Sequence, residues 1–209
     1  IDYRADHSLR VPRPDLSQSL GVPNSCSQSG CHDDQTLQWN VDAYTKWYGE
    51  ARKPHYGEVL AAARAGKPEA QDGLIALLED PLTAPIVRAT ALRALAAYPP
   101  ERHLTVIRRA LVDEEALLRH TAVEAVVAES PEVLVELLAP LLFDPVRAVR
   151  MRVATRLAGV SQEFLTVEQA AARERELEQA KEIEKAYTEL KNTQSQLIQA
   201  EKMASLGEL

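Results

Sequence analysis

Apolar positions along the chain first fall into register at Leu37, Val41, Tyr44 and Tyr48, steps of four, three and four that mark one face of a helix. Gly49 is expected to end that helix. A second is predicted from about His55 through Ala65, stopped by Gly66 and Pro68. Ahead of both, residues 1–30 read as an extended arm. Pro12, Pro14 and Pro23 hold it out of helix, and Ser17, Ser19, Asn24, Ser25, Ser27 and Ser29 supply turn chemistry.

An internal repeat follows. Val87-Arg88-Ala89-Thr90-Ala91-Leu92 is echoed by Leu118-Arg119-His120-Thr121-Ala122-Val123 and by Val149-Arg150-Met151-Arg152-Val153-Ala154, so Arg88, Arg119 and Arg150 stand 31 residues apart. Each copy opens with an apolar helix that runs into an acidic turn: Leu77-Leu78-Glu79-Asp80, Leu111-Val112-Asp113, Leu142-Phe143-Asp144. Alanines (Ala91 and Ala94, Ala122 and Ala125, Ala154 and Ala158) allow close approach of the second helix to its neighbour. No single copy can bury its own apolar face, so the copies must stack. The pattern resembles HEAT-type repeats in a short form. The paired Asp and Arg are expected to tie each turn to the next copy.

The final segment changes character. From about Val167 to Leu209 there is no Pro and one Gly, and Glu, Lys, Gln and Ala dominate. Ile183, Leu190, Leu197 and Ala204 recur every seven residues, a heptad seam diluted by Thr193 and Gln194. Such a helix is about 60 Å long, and so thin an apolar stripe has no reason to stand alone in water. A second copy of itself is the simplest partner. The predicted fold is all-α in three segments: an irregular segment with short helices over 1–66, repeats over 67–165, and a coiled-coil dimerisation helix over 166–209.

Composition narrows the function. Across 209 residues the net charge is −7, with 24 basic and 31 acidic residues, which argues against a nucleic-acid binder that would need a dense basic face. No apolar run approaches the roughly 18 residues of a membrane span; the best, Val133 to Phe143, is broken by Glu136 and Pro140. No Ser-His-Asp grouping, phosphate-cradling glycine loop or cluster of carboxylates marks catalysis in this chain. Ile1 replaces an initiator Met, so further residues are expected upstream. Six of the ten aromatics fall within the first 56 residues, and the two cysteines, Cys26 and Cys31, lie among them.

Those cysteines carry the sharpest chemical signal: Cys26-Ser-Gln-Ser-Gly-Cys31-His32. A Cys pair followed directly by His is the arrangement that attaches c-type haem, with thioethers to the porphyrin vinyl groups and an imidazole on iron. The usual spacer is two residues and here it is four. Tyr44, Tyr48, Trp39 and Trp47 would wall a flat macrocycle, and would equally build an ordinary aromatic core. His7 and His55 are the nearest candidates for a second iron ligand, whereas His103 and His120 lie in the repeats. Two alternatives stay open on the residues alone: a disulfide or free thiols at Cys26 and Cys31, and zinc, for which adjacent Cys31 and His32 are poor geometry.

The succession Asp6-His7-Ser8-Leu9-Arg10-Val11-Pro12-Arg13-Pro14-Asp15-Leu16, Val22-Pro23-Asn24-Ser25-Cys26, Trp39, Lys46-Trp47-Tyr48-Gly49 and His55-Tyr56-Gly57 resembles bacterial multihaem cytochromes c with doubled haem-attachment motifs, which commonly continue into HEAT-like repeats. The resemblance covers about residues 1–165. It implies haem c on Cys26 and Cys31 with His32 as axial iron ligand, and a further haem motif upstream, whose iron His7 would then ligate. The four-residue spacer departs from the usual pattern.

The tail is similar to another family. Ala186-Tyr187-Thr188-Glu189-Leu190 and the ending Gln196-Leu197-Ile198-Gln199-Ala200-Glu201-Lys202-Met203-Ala204-Ser205-Leu206-Gly207-Glu208-Leu209 resemble the helix that leads into the phosphoacceptor domain of sensor histidine kinases. In that family the phosphorylated His lies a few residues further on, so this resemblance places the parent protein in a two-component system while no kinase chemistry occurs within these residues. The two resemblances conflict over compartment. Haem is attached outside the bacterial cytoplasm, kinases act inside it, and 160–180 holds no membrane helix. The leading expectation is a haem c-binding input region of a histidine kinase, dimeric through its C-terminal helix. An extracytoplasmic electron-transfer cytochrome with a redox partner protein, and a haem-free helical scaffold, are the alternatives.

Overall fold

The computed structural model describes residues 12–27 and 30–206. Every regular element among them is a helix, and the chain divides into two compact units, Ile1–Ala70 and Gln71–Leu209. The fold is all-α with a long C-terminal helix, as the heptad pattern and the repeats predict.

In the first unit, α1 (Pro14–Leu20) packs against α2 (Leu37–Tyr48) and α3 (Tyr56–Arg64). The helix at α1 corrects the expectation of an extended arm. Pro14 occupies the first helical position, where its missing N–H costs nothing and its fixed φ favours helix entry. Gly21 then closes α1 in the left-handed region at φ 68°. Thr36 caps α2 by accepting from the Trp39 N–H at 3.2 Å, and Gly49 ends it at φ 82° as expected. Among the described residues the apolar core here is small. Leu16 and Ala70 are the buried hydrophobic residues among those described in this unit, and Pro14 is buried as well. A core of this size rarely holds a unit of about 70 residues together without a disulfide, a metal, a cofactor or a partner.

The second unit is the stack. Its pairs are α4 (Ala70–Glu79, whose first residue belongs to the first unit) with α5 (Pro85–Leu95), α6 (Leu104–Ala110) with α7 (Ala116–Ala125), and α8 (Pro131–Leu138) with α9 (Arg147–Arg156). Helices α5, α7 and α9 lie side by side through their alanine-rich faces, where Ala91, Ala122 and Ala154 are wholly buried. Leu74, Leu92, Leu118, Leu138, Val149 and Leu157 fill the space between the layers. This apolar filling is continuous from copy to copy, which is why no copy needs a core of its own.

The repeat arginines form a ladder. Arg88 donates to the Leu78 carbonyl and to Asp113 at 2.7 Å; Arg119 donates to the Asp113 and Glu114 carbonyls and, through two nitrogens, to Asp144 at 2.6 and 2.9 Å. Arg150 continues the series with the Asp144 and Pro145 carbonyls, but its carboxylate is Glu176 at 2.8 Å, supplied by α10 (Val167–Leu206). Each guanidinium thus joins the turn of its own copy to the next carboxylate, and α10 provides the last rung.

The expected boundary at residue 165/166 is therefore not a structural one. Thr166 and Gln169 form a reciprocal capping box at the start of α10, with bonds of 2.9 and 3.2 Å. Ala172, Arg173 and Glu176 are then buried against the stack, Arg173 donating to the Leu157 and Val160 carbonyls. Every residue from Lys181 through Ala200 is exposed. No helix among the described residues is long and apolar enough to cross a membrane.

One buried histidine sets a pH response. His103 is almost wholly buried, and its Nδ1 lies 3.1 Å from Gln71 Nε2, which also donates to the Pro99 carbonyl. The amide donates, so Nδ1 must be unprotonated. Burial pushes the His103 pKa down, against a smaller opposing effect of Glu101, and His120 is pushed down by burial and by Arg152. Unfolding then takes up protons, so stability is present at neutral pH and is lost as pH falls through the ordinary histidine value of about 6.5. Urea unfolding at pH 7.5, 6.5 and 5.5 should show the stack weakening with acid, with a shallower loss in His103→Asn.

Candidate functional site

The first unit holds Cys26, Cys31 and His32 on a single short loop, and Trp39, Tyr44, Trp47 and Tyr48 on α2, the helix that follows it. Cys26 sits in a 3-10 turn, Ser25–Ser27, and is half-buried; Cys31 and His32 are exposed. Both cysteines are free thiols. The His32 N–H donates to the Cys26 carbonyl at 3.0 Å, and this bond closes the loop across the four-residue spacer. Gly30, at φ 85°, takes the left-handed turn that closure requires. The 3-10 turn is pinned twice. Asn24 Oδ1 accepts from the Cys26 N–H at 3.2 Å, and Asn40 Nδ2 on α2 donates to Ser27 Oγ at 2.9 Å.

Asn40 is a site residue the sequence reading passed over. It is buried, and its amide also reaches the Thr36 carbonyl. The signal was present: position 40 lies on the same face as Leu37, Val41 and Tyr44, and a polar residue there must answer a polar group nearby.

Cys26 and His32 line one cavity of about 130 Å³ with Trp39, Tyr44, Trp47 and Tyr48. The His32 ring lies 5.0 Å from Trp39, and Tyr44 and Tyr48 are 4.7 Å apart. Arg52 stands 4.5 Å over the Tyr44 ring and donates to Thr45 Oγ1, which holds that side of the cluster. The aromatics do not form an ordinary core. Trp39 is 40%, Tyr48 65% and Trp47 70% exposed. Three large rings facing water beside the Cys26 thiol and the His32 imidazole are an exposed apolar surface among the described residues; Cys31 is not among the residues lining the cavity.

His55 serves a different purpose in this arrangement. It is the N-cap of α3: its Nδ1 accepts the Gly57 N–H at 3.0 Å, while Glu58 accepts the His55 N–H at 2.9 Å. A Cβ on Gly57 would come within 2.9 Å of that Nδ1, so the cap and the glycine belong together. An imidazole that accepts at Nδ1 carries its proton on Nε2, leaving no lone pair there for iron. His55 is also not among the residues lining the Cys26 cavity. His7 lies outside the described residues.

Tested against the haem that the resemblance implies, the residues fit by donor set and by surface. Two thiols and an imidazole lie on one closed loop, and flat apolar rings stand next to Cys26 and His32. The cavity is well below the roughly 300–1,000 Å³ of an enclosing ligand pocket and would not enclose a macrocycle. No group of three or more His, Cys, Asp or Glu side chains among the described residues could hold a metal ion by itself. No protein-family model, curated protein or solved structure matches the chain.

Proposed function

We propose that this chain is a haem c-carrying input region that passes the state of its haem to a dimeric signalling helix of a two-component histidine kinase. The observation that carries the reading is the pairing, on an under-filled unit, of the Cys26–Cys31–His32 loop with uncovered Trp39, Trp47 and Tyr48. A group seated there would supply the missing apolar contact and hold the unit together. Cys26 and Cys31 would form the thioethers and His32 would ligate iron, giving the site a one-electron redox couple. Asn40 and the Asn24 turn position Cys26, Trp39 packs beside His32, and with a group seated there Trp47 and Tyr48 would exclude water from its apolar face.

The continuous run of Arg–carboxylate rungs into α10 supports the second half of the reading, since a helix fixed at its base to a stiff stack can carry rotation or register change along its length. Attachment of haem would place this part outside the cytoplasm.

The expected result is a covalent haem. Expressed with periplasmic cytochrome c maturation, the chain should give a pyridine haemochrome spectrum that survives denaturation, and Cys31→Ala should lower covalent haem several-fold. A colourless chain would leave a haem-free scaffold. For signalling, a version extended through the kinase should autophosphorylate differently when oxidised and when reduced; equal rates would remove the sensor assignment.

A further inference from the structure

The three second helices of the stack, α5, α7 and α9, carry seven arginines and one carboxylate, Glu124, in a chain whose net charge is −7. Arg88, Arg119 and Arg150 are spent on the ladder. Arg93, Arg147, Arg152 and Arg156 are not, and Glu124 is shared between two of them, 3.3 Å from Arg93 and 3.1 Å from Arg152. Those two contacts cross from α5 to α7 and from α7 to α9, which makes one continuous face of the three helices. The Arg93 side chain is 75% exposed even so. His120 adds no acid; its Nε2 accepts from Arg152 Nε at 3.3 Å.

The repeat also writes an apolar row on this face. Ile86, Leu117 and Ala148 stand 31 residues apart, one per helix, and all are exposed, Ile86 at 63% and Leu117 at 41%. Between α7 and α9 a groove of about 300 Å³ opens beside Ala148, Met151 and Thr155. Packed helices lie about 8–10 Å apart, so the three apolar positions fall at steps of about that size. A ligand helix rises about 10.5 Å in seven residues, which sets an apolar side chain at every seventh position against successive repeats.

We propose that the α5–α7–α9 face is a docking surface for an acidic helical segment of a partner protein, with apolar side chains seven residues apart seated along Ile86, Leu117 and Ala148 and carboxylates meeting Arg93 and Arg152. A nucleic acid fits less well. The apolar row offers phosphates nothing, and Glu124 stands at the centre of the face.

The test is a selection of 21-residue helical peptides from a displayed random library on the full chain, followed by fluorescence anisotropy of the enriched peptides. Enrichment of acidic peptides with a heptad apolar spacing is expected. Their binding should weaken at least tenfold in Arg93→Glu/Arg152→Glu and in Ile86→Ser/Leu117→Ser, and strengthen in Glu124→Gln, with circular dichroism unchanged because none of the replaced side chains is buried. No enrichment, enrichment of basic peptides, or binding indifferent to these substitutions overturns the proposal. So does tighter binding of a single-stranded RNA to the same arginines, or self-association of the chain abolished by the same substitutions, which would make the occupant a nucleic acid or a second copy.

Discussion

Asp144→Ala is expected to destabilise the stack by about 3–5 kcal/mol, the cost typical of removing one partner of a buried ion pair. Asp144 is buried at the centre of the ladder, takes two bonds from Arg119, and accepts the Val146 N–H at 2.8 Å. Its own carbonyl serves Arg150. Removing the carboxylate takes the carboxylate partner from a guanidinium whose side chain is 12% exposed and frees the Val146 N–H in the turn before α9. For a unit of this size each kcal/mol moves the midpoint by about 2–4 °C, so thermal unfolding by circular dichroism should begin roughly 10 °C lower. Arg93→Ala, which removes an exposed pair in the same helix layer, should stay within about 0.5 kcal/mol. Equal effects from the two would remove the structural role assigned to the ladder. Acid should act on the same rung. Burial pushes the Asp144 pKa up, but the Arg119 bonds, the Val146 N–H and the charges of Arg119 and Arg150 outweigh it and hold the carboxyl below its ordinary value. The rung therefore stabilises above the ordinary carboxylate range and is lost as pH falls through the lower folded value.

The double substitution Leu190→Glu/Leu197→Glu is expected to convert a dimer to a monomer. Ile183, Leu190 and Leu197 lie seven apart on a helix with every residue from Lys181 to Ala200 exposed. A single helix of this composition gains little from its own propensity and needs a packed face to persist in water. Two copies in parallel set Ile183, Leu190 and Leu197 each against its counterpart, with Ala186, Thr193 and Ala200 as the smaller alternate layers. In that alignment Glu182 and Glu189 face Tyr187 and Gln194 of the partner helix, whereas an antiparallel pair centred on the seam brings Glu189 against its own copy. Light scattering on the full chain should give about twice 23.1 kDa. The variant should give the monomer mass and lose helical signal, since two buried leucines per helix are worth about 1.5–3 kcal/mol each. A variant that remains dimeric would move the interface elsewhere.

In the first unit the sequence made candidate residues legible and their local structure less so. Cys26, Cys31 and His32 announce themselves by spacing, yet the loop that joins Cys26 to His32 depends on a backbone bond, on the Asn24 side chain and on Asn40, which lies outside every motif in the sequence. His55 illustrates the opposite case. Its proximity in sequence suggested an iron ligand, and the fold gives its Nδ1 to Gly57 as a helix cap. The predicted helix start at about His55 was the available signal, since a residue at that boundary is placed to cap the helix.

By itself the sequence determined that this protein is helical, that its middle is a 31-residue repeat and that its last helix carries an unsatisfied heptad seam. All three follow from periodicity, which is a local property of the chain. Tertiary structure alone decided that α1 is a helix, that Glu176 supplies the last acid of the ladder and that α10 is rooted in the stack instead of joined to it by a linker. It also decided that the aromatics near Cys26 face outward. These outcomes depend on which groups from distant positions meet, and a buried guanidinium or an uncovered ring is settled by its neighbours in space.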